Sequence, residues 1–302
     1  MVRFLHVLRL KEQTIIQNNM KTLSLKLLTI TAFLLLASCA QKAKKGETTE
    51  VEPVEEVSKA PVYDTNEPRT IMAAIAHAHG GWNDLWKKGD VEYTYDYRSN
   101  GKADVSTERY IFNSEASYGK YAQHEINVMP DTEGEVVHYF NGKETVVFVN
   151  KEKTEDPQGN AVGEFLRKAN HFWFVMPYKL NDKGTIITYQ GQEGYNGTTY
   201  DKVHVTYDPA ITGKEQNDIY ILFVNPETKM IDRFFFSLPF LGVEEPVILA
   251  NYEYENIDGQ MISTKRTYFM PSEQGYADEP SIVQTMTNVK FGNGFTEETL
   301  MQ

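Results

Sequence analysis

From Val91 onward the chain alternates. Val91, Tyr93, Tyr95 and Tyr97 occupy one side of a two-residue period and Glu92, Thr94, Asp96 and Arg98 the other. That pattern puts four apolar or aromatic side chains on one face of a strand. Turn signals then recur at Asn100-Gly101, Glu133-Gly134, Asn141-Gly142, Gly194, Asn196-Gly197, Asn225-Pro226 and Asp258-Gly259. Between them, strands are predicted near residues 91–98, 105–112, 117–126, 135–141, 144–150, 185–190, 199–207, 217–224, 230–237, 247–256, 261–270 and 282–290. Connections this short pair consecutive strands antiparallel, because parallel neighbours need long crossovers.

Two segments follow the helical period instead. In the first, Asn66 is the expected cap, Pro68 sits in the first turn, and Ile71, Met72, Ile75 and Ala78 form one stripe that Gly80-Gly81 ends. A short helical turn from Trp82 to Trp86 follows. In the second, Val162, Phe165, Leu166, Ala169 and Phe172 fit helical spacing, and Met176-Pro177 is the expected end, since proline disfavours the helical conformation in the residue before it. No linker-like composition and no repeat of fixed period interrupts residues 65–302, so one domain is expected there. The predicted fold class is mainly β with some α: a single large curved antiparallel sheet, or half-open β-barrel, wrapped around two helices, because a long twisted sheet must curl.

The first 64 residues read differently. Met20 begins a regular pattern of Lys21 and Lys26 followed by eleven mostly apolar residues, Leu27 to Ala37, and is the preferred start over Met1. Eleven residues are too few to cross a hydrocarbon core, which needs about 20, so residues 1–38 read as a signal peptide. Leu36-Ala37-Ser38-Cys39 resembles the lipobox of bacterial lipoproteins. That resemblance implies cleavage before Cys39, attachment of acyl chains to it, and a membrane as partner through this one residue. An unmodified free cysteine beside a signal peptide is the alternative. Residues 39–64, rich in Gln, Lys, Glu, Thr and Pro, are expected to be a disordered tether.

Charge removes one class of partner. Beyond residue 38 the chain carries 25 basic and 41 acidic residues, a formal charge of −16, and such a body repels nucleic-acid phosphates. Cys39 is the single cysteine, so intramolecular disulfides are excluded.

Candidate chemistry is sparse. His77 and His79 form an HxH pair, yet on a helix two such residues point about 200° apart and converge on a metal only if Gly80-Gly81 unwinds the last turn. They are weak metal candidates, and no metal is expected. No nucleophile turn for a hydrolase and no phosphate-cradling glycine loop is present, so no cofactor and no catalytic residue is expected. What stands out is the aromatic load, 18 Tyr and 16 Phe, most of which suits the core of a β protein. The run Phe234 to Val243 stays apolar through Pro239 and Gly242, and reads either as a buried strand with a packed loop or as the rim of a pocket; burial is preferred.

Three stretches carry a wider resemblance. Ala78-His79-Gly80-Gly81 with Trp82 and Trp86, then Phe172-Trp173-Phe174-Val175-Met176-Pro177-Tyr178-Lys179-Leu180, then Tyr252-Glu253-Tyr254-Glu255-Asn256-Ile257-Asp258-Gly259 are similar to a family of Gram-negative lipoproteins without an established reaction, over roughly residues 66 to 295. The architecture resembles the half-barrel of the lipoprotein-localisation carriers of the LolA/LolB type. That resemblance implies a sheet bent around helices and an apolar cavity.

The expected function is therefore non-catalytic binding of a lipid, acyl chain or other hydrophobic ligand by a monomeric lipoprotein in the cell envelope. Ala40 to Lys45 lacks the acidic cluster that marks surface display in some lineages, which favours the periplasmic face of the outer membrane. Val91, Tyr93, Tyr95, Tyr97, Phe165, Trp173, Phe236 and Phe240 are the expected cavity lining. The alternative is an interaction or scaffold protein that docks an envelope partner through its sheet, with an enzyme as third choice.

Overall fold

The computed structural model of the chain describes residues 60–302, with the backbone but not the side chain of Phe240. Cys39, the expected signal peptide and the expected tether as far as residue 59 lie outside the described residues. Ala60–Gln302 forms one compact unit with its own hydrophobic core, which is the physical requirement for folding alone.

Among the described residues, thirteen strands form one antiparallel sheet. β1 (Asp90–Ser99) lies next to its central strand, and β2 (Lys102–Ile111), β3 (Ser117–His124), β4 (Val136–Phe140), β5 (Thr145–Val149) and β6 (Glu152–Lys153) follow outward to one edge. The chain then crosses to the opposite edge and returns through β7 (Thr185–Tyr195), β8 (Thr198–Tyr207), β9 (Tyr220–Val224), β10 (Ile231–Leu238), β11 (Val243–Ile257), β12 (Gln260–Phe269) and β13 (Ile282–Phe291). β13 pairs with β1 from Val91↔Phe291 to Arg98↔Val283, while β6 and β7 remain unpaired with each other, so the sheet is open. All twelve expected strands are present. The two-residue β6 is an addition, as are Thr198 in β8 and the longer reach of β7 and β11.

Helices cover the sheet's inner face: α1 (Pro68–Ala78), α2 (Trp82–Lys87), and α3 (Pro157–Lys179), with a single-turn α4 (Pro209–Thr212) outside that group. α3 is the crossing element, and its 23 residues span roughly 35 Å at the helical rise. Asp156 caps it, accepting from the Gly159 N–H at 2.8 Å, and Pro157 occupies the first turn. Its buried face recurs every three or four residues: Gly159, Gly163, Arg167, His171, Phe174, Val175 and Tyr178. Gly163 lets the helix press on the sheet, where a Cβ would overlap the Val147 side chain.

Three expectations need correction. α3 does not end at Met176-Pro177 but continues to Lys179. Pro177 brings no N–H to the carbonyl four residues back, that of Trp173, and the buried Arg266 supplies the missing donor, Nη2 to O at 3.1 Å. Asn66 does not cap α1: Glu67 holds that position without a side-chain bond, and Thr70 closes the turn by donating to the Asp64 and Glu67 carbonyls at 3.0 and 2.7 Å. Finally, the folded body begins before residue 65, because the Tyr63 hydroxyl donates to buried Asp201 at 2.6 Å.

The core divides along α3. Near its C-terminal end, Ile71, Met72 and Ile75 of α1 pack with Met176, Leu180 and strands β8 to β12. The middle of the sheet, through Val91, Tyr93, Tyr110 and Phe291, packs on Phe174, Val175 and Tyr178. Toward the N-terminal end of α3, Tyr121, Val128, Val136 and Val147 receive Leu166.

Candidate functional site

α3 carries an arginine into the sheet's interior. Arg167 donates to Glu108 of β2 through Nη1 at 2.8 Å and Nη2 at 3.0 Å, and both side chains are 0% exposed. The pair is wrapped in hydroxyls: Tyr121 accepts from Nη2 at 3.2 Å, and Ser106 and Tyr110 donate to Glu108 at 2.7 and 3.0 Å. Gly119 of β3 makes the room, since a Cβ there would overlap the guanidinium.

Around this pair lie buried polar atoms without a protein partner: Arg167 Nε, His171 Nε2, both ring nitrogens of His138, and Ser117 Oγ. Each costs on the order of 1–3 kcal/mol if left unpaired, so each calls for a partner such as a water, an ion or a ligand. Burial outweighs the Glu115 carboxylate and lowers the His171 pKa to about 4. Burial, aided by the Arg167 charge, drives His138 well below the usual histidine value. Both rings are neutral at neutral pH.

Arg167 and His171, one turn apart, reach the floor of a cleft of about 470 Å³. The turn before β3 and the end of β4 contribute Glu115 and Phe140 on one side, and Tyr207, Thr212, Lys214, Asn217, Asp218 and Tyr220 form the other. β4 and β8 are separated by many strands in the sheet order, so only the bend of the sheet around α3 brings them to one cleft. Phe172, Lys168 and Lys179 of α3 complete the wall. Aromatic side chains contribute to its lining, and its cations range from the fully buried Arg167 to the largely exposed Lys168. Three of its four cations are paired, Arg167 with Glu108, Lys168 with Glu164 at 2.6 Å, and Lys179 with Glu115 and Asp182 at 3.3 and 3.5 Å, while Lys214 has no ion pair among the described residues. Lys214 shares the wall with Asp218, whose carboxyl pKa is raised by burial.

A second hollow, of about 600 Å³, lies along β3 and the following loop. Its polar groups already serve one another: Lys120 pairs with Glu135 at 2.6 Å, and His124 bonds to the Met129 and Gly134 carbonyls at 3.3 and 2.9 Å. It offers no unpartnered buried group, and the α3 cleft is the better candidate despite its smaller volume.

Of the residues expected from the sequence to line a cavity, none whose side chain is described lines this cleft. Val91, Tyr93 and Tyr95 are buried in the central core, with Tyr97 packed against it. Trp173 and Phe236 pack in the core by the C-terminal end of α3, their rings 5.1 Å apart. Phe165 is 37% exposed on α3, and the Phe240 side chain lies outside the described residues. The run from Phe234 is buried at Phe234 and Phe236. His77 is exposed while His79 is buried, its Nδ1 donating to the Ile75 carbonyl at 2.8 Å. The helix therefore stays wound to its end, and the two rings do not converge. Among the described residues no group of three or more His, Cys, Asp or Glu is placed to hold a metal, and no helix is long and apolar enough to cross a membrane.

The fold is that of an open half-barrel sheet bent around helices, as the sequence resemblance implies. A model of a family of unknown function, DUF6503, matches residues 140–247, from the end of β4 through α3 into β11. Solved structures similar to this one include a DUF1329 family protein from Desulfovibrio piger, with TM-score 0.45 and 11% identity over 78% of this chain and 96% of that one. Another is a putative outer membrane lipoprotein-sorting protein domain from Vibrio parahaemolyticus, with TM-score 0.47 and 8% identity over 79% and 97%. Lipoprotein LppX of Mycobacterium tuberculosis gives TM-score 0.27 and 14% identity over 75% and 97%. No curated protein sequence matches the chain.

Proposed function

We propose that this protein is a non-catalytic, monomeric lipoprotein of the cell envelope, anchored through Cys39 at the periplasmic face of the outer membrane, that binds a hydrophobic or amphiphilic small molecule in the cleft over α3. The observation that carries the reading is the cleft itself. Its volume of about 470 Å³ falls in the range of small-molecule sites, roughly 300–1,000 Å³, and its walls are Phe140, Phe172, Tyr207 and Tyr220. Ala60–Gln302 should therefore retain a lipid when purified from cells, seen as added mass under native mass spectrometry, or take up a fluorescent acyl probe. Absence of both sinks the ligand reading. Anchoring is separately testable: Cys39→Ala should abolish metabolic labelling by a fatty-acid analogue and partitioning into detergent, and persistence of either removes the lipoprotein assignment.

The docking alternative rests on β7. This eleven-residue edge strand pairs only with β8, contains neither lysine nor proline, and exposes Ile186 and Tyr195, features that leave a sheet edge open to strand addition.

A further inference from the structure

We propose that the outer face of the sheet carries a binding site at Arg233 for a monocarboxylate with an aromatic or apolar body, the carboxylate taking the guanidinium fork and the body packing on the exposed tyrosine rings beside it. The site is separate from the α3 cleft and does not depend on the reading given to that cleft.

Register places Arg233 on the outer face. Side chains alternate along a strand, and Phe234 and Phe236 of β10 point into the core that the helices cover, so Arg233 and Phe235 point the other way. There Arg233 stands opposite Phe223 of β9. Its guanidinium centre lies 3.5 Å from the ring of Tyr195 at the end of β7, 5.3 Å from that of Phe223 and 5.8 Å from that of Phe235. Only 7% of the residue is exposed, yet among the described residues it makes no ion pair and no hydrogen bond. Carboxylates close by are engaged elsewhere: Asp232, beside it in the chain, accepts from the Tyr200 hydroxyl at 3.1 Å, and Glu193 of β7 pairs with Lys202 at 2.7 Å.

A desolvated charge without a partner is costly to keep, so the counter-charge comes from outside the chain. The geometry leaves donors for it. Stacking on Tyr195 occupies a face of the planar guanidinium and not its in-plane N–H directions. Nε is sealed from solvent, whereas the two terminal nitrogens, equally unpartnered, are not, and those two form the fork that holds a carboxylate by parallel bonds. The charge count selects a monoanion. Lys202 is neutralised by Glu193, which leaves one positive charge, and a phosphate dianion would add a second negative charge beside Asp232. Tyr195 and Tyr276 supply exposed rings around the recessed cation. Tyr276 lies 6.0 Å from the Phe235 ring and is fixed by its hydroxyl, which donates to the Val247 carbonyl at 2.6 Å. Exposed tyrosines around a desolvated arginine are the side chains that concentrate binding energy.

The test titrates isotope-labelled Ala60–Gln302 at pH 7.5 with benzoate, neutral benzamide and phenyl phosphate, reading backbone amide shifts by NMR. Benzoate should saturate with shifts centred on Tyr195, Phe223, Arg233 and Phe235. It should bind about tenfold tighter than benzamide, as expected for a charge-assisted pair of hydrogen bonds, and tighter than phenyl phosphate, which is largely a dianion at that pH. In Arg233→Met, benzoate and benzamide should bind alike. Should benzamide match benzoate in the unmodified protein, or the benzoate preference survive Arg233→Met, the arginine is not an anion site. Phenyl phosphate binding tightest would mean the wrong class of anion, and shifts centred on the α3 cleft, or no saturation by any probe, would remove the site. The comparison of probes in the unmodified protein needs no variant, so a poorly folded Arg233→Met leaves the proposal open to refutation.

Discussion

Of the three arginines buried among the described residues, the two most deeply buried, Arg167 and Arg266, are satisfied in opposite ways. Arg167 meets a carboxylate in a bidentate pair. Arg266 of β12, equally buried, bonds neutral oxygens, Ser263 Oγ at 2.9 Å and the Trp173 carbonyl at 3.1 Å, beneath the Tyr252 ring at 5.2 Å. The surroundings differ to match. Around Arg266 the space is filled by tyrosines and by the Phe234 and Trp173 rings, whereas around Arg167 lie the orphaned atoms of His138, His171 and Ser117 and the cleft. A protein that only had to fill a bent sheet could have treated both halves alike. Unpartnered buried atoms occur on both sides, His79 Nε2 and Arg233 Nε among them, but those of Arg167 and His171 belong to residues that line a cleft.

The largest effect expected from breaking the contrast is at Glu108. Glu108→Leu leaves Arg167 charged, buried and unpaired, and should cost about 3–5 kcal/mol in urea unfolding. Glu108→Leu combined with Arg167→Met removes both charges and should recover most of that loss. Equal losses in the single and double variants would show that the pair's shape, not its charge balance, matters there.

Acid should then act more strongly on the cleft side. His171 has its pKa lowered to about 4 and His138 is lowered too, so between pH 4 and about 6.5 the unfolded chain binds more protons than the native one. Stability is therefore complete above about pH 6.5 and falls as the pH drops toward 4, by up to about 3 kcal/mol for His171 alone. His79, also held near 4 by burial, adds a similar slope from the other side. Unfolding midpoints at pH 7.5 and 5 should converge more in His138→Phe/His171→Phe than in His79→Phe. The reverse order would mean that the orphaned rings are protonated without penalty.

Much of the frame was legible in the residues, and the site was not. Val91 to Tyr97 announces its strand because the burial period is also the hydrophobic period. In β2 the buried face is Asp104, Ser106, Glu108 and Tyr110 while Val105 faces partly outward, so apolar pattern points the wrong way where a buried ion pair sets the register. The cleft has no local signature at all, since Phe140 and Tyr207 meet only through the curvature of the sheet. A usable hint lay in α3, where Gly159, Gly163, Arg167 and His171 share a stripe at four-residue spacing. Small residues followed by buried polar ones mark a helix pressed onto a sheet that holds a charge.

Gly119 tests that close approach. Gly119→Ala keeps both charges but pushes on the guanidinium, and overpacking of this kind costs about 1–3 kcal/mol. The loss should shrink in an Arg167→Met background, where the side chain pressing on β3 is narrower. A loss independent of residue 167 would place the strain in the strand backbone.

The smallest effect belongs to Arg266 and is read as a coupling. Arg266→Met deprives the Trp173 carbonyl of its donor, costing on the order of 1–3 kcal/mol, but it also removes a desolvated charge, so a net loss of about 1 kcal/mol is expected. Pro177 is the reason that carbonyl needs an outside donor. Pro177→Ala restores an N–H four residues along the helix, which in the Arg266→Met background should pair with Trp173 and regain most of the loss. In the unmodified protein the same N–H must compete with Arg266, and Pro177→Ala should gain little. The four proteins form a double-mutant cycle whose interaction energy should be about 1 kcal/mol. If Pro177→Ala changes stability equally in both backgrounds, the two residues do not share the Trp173 carbonyl, and the neutral solution adopted around Arg266 has another cause.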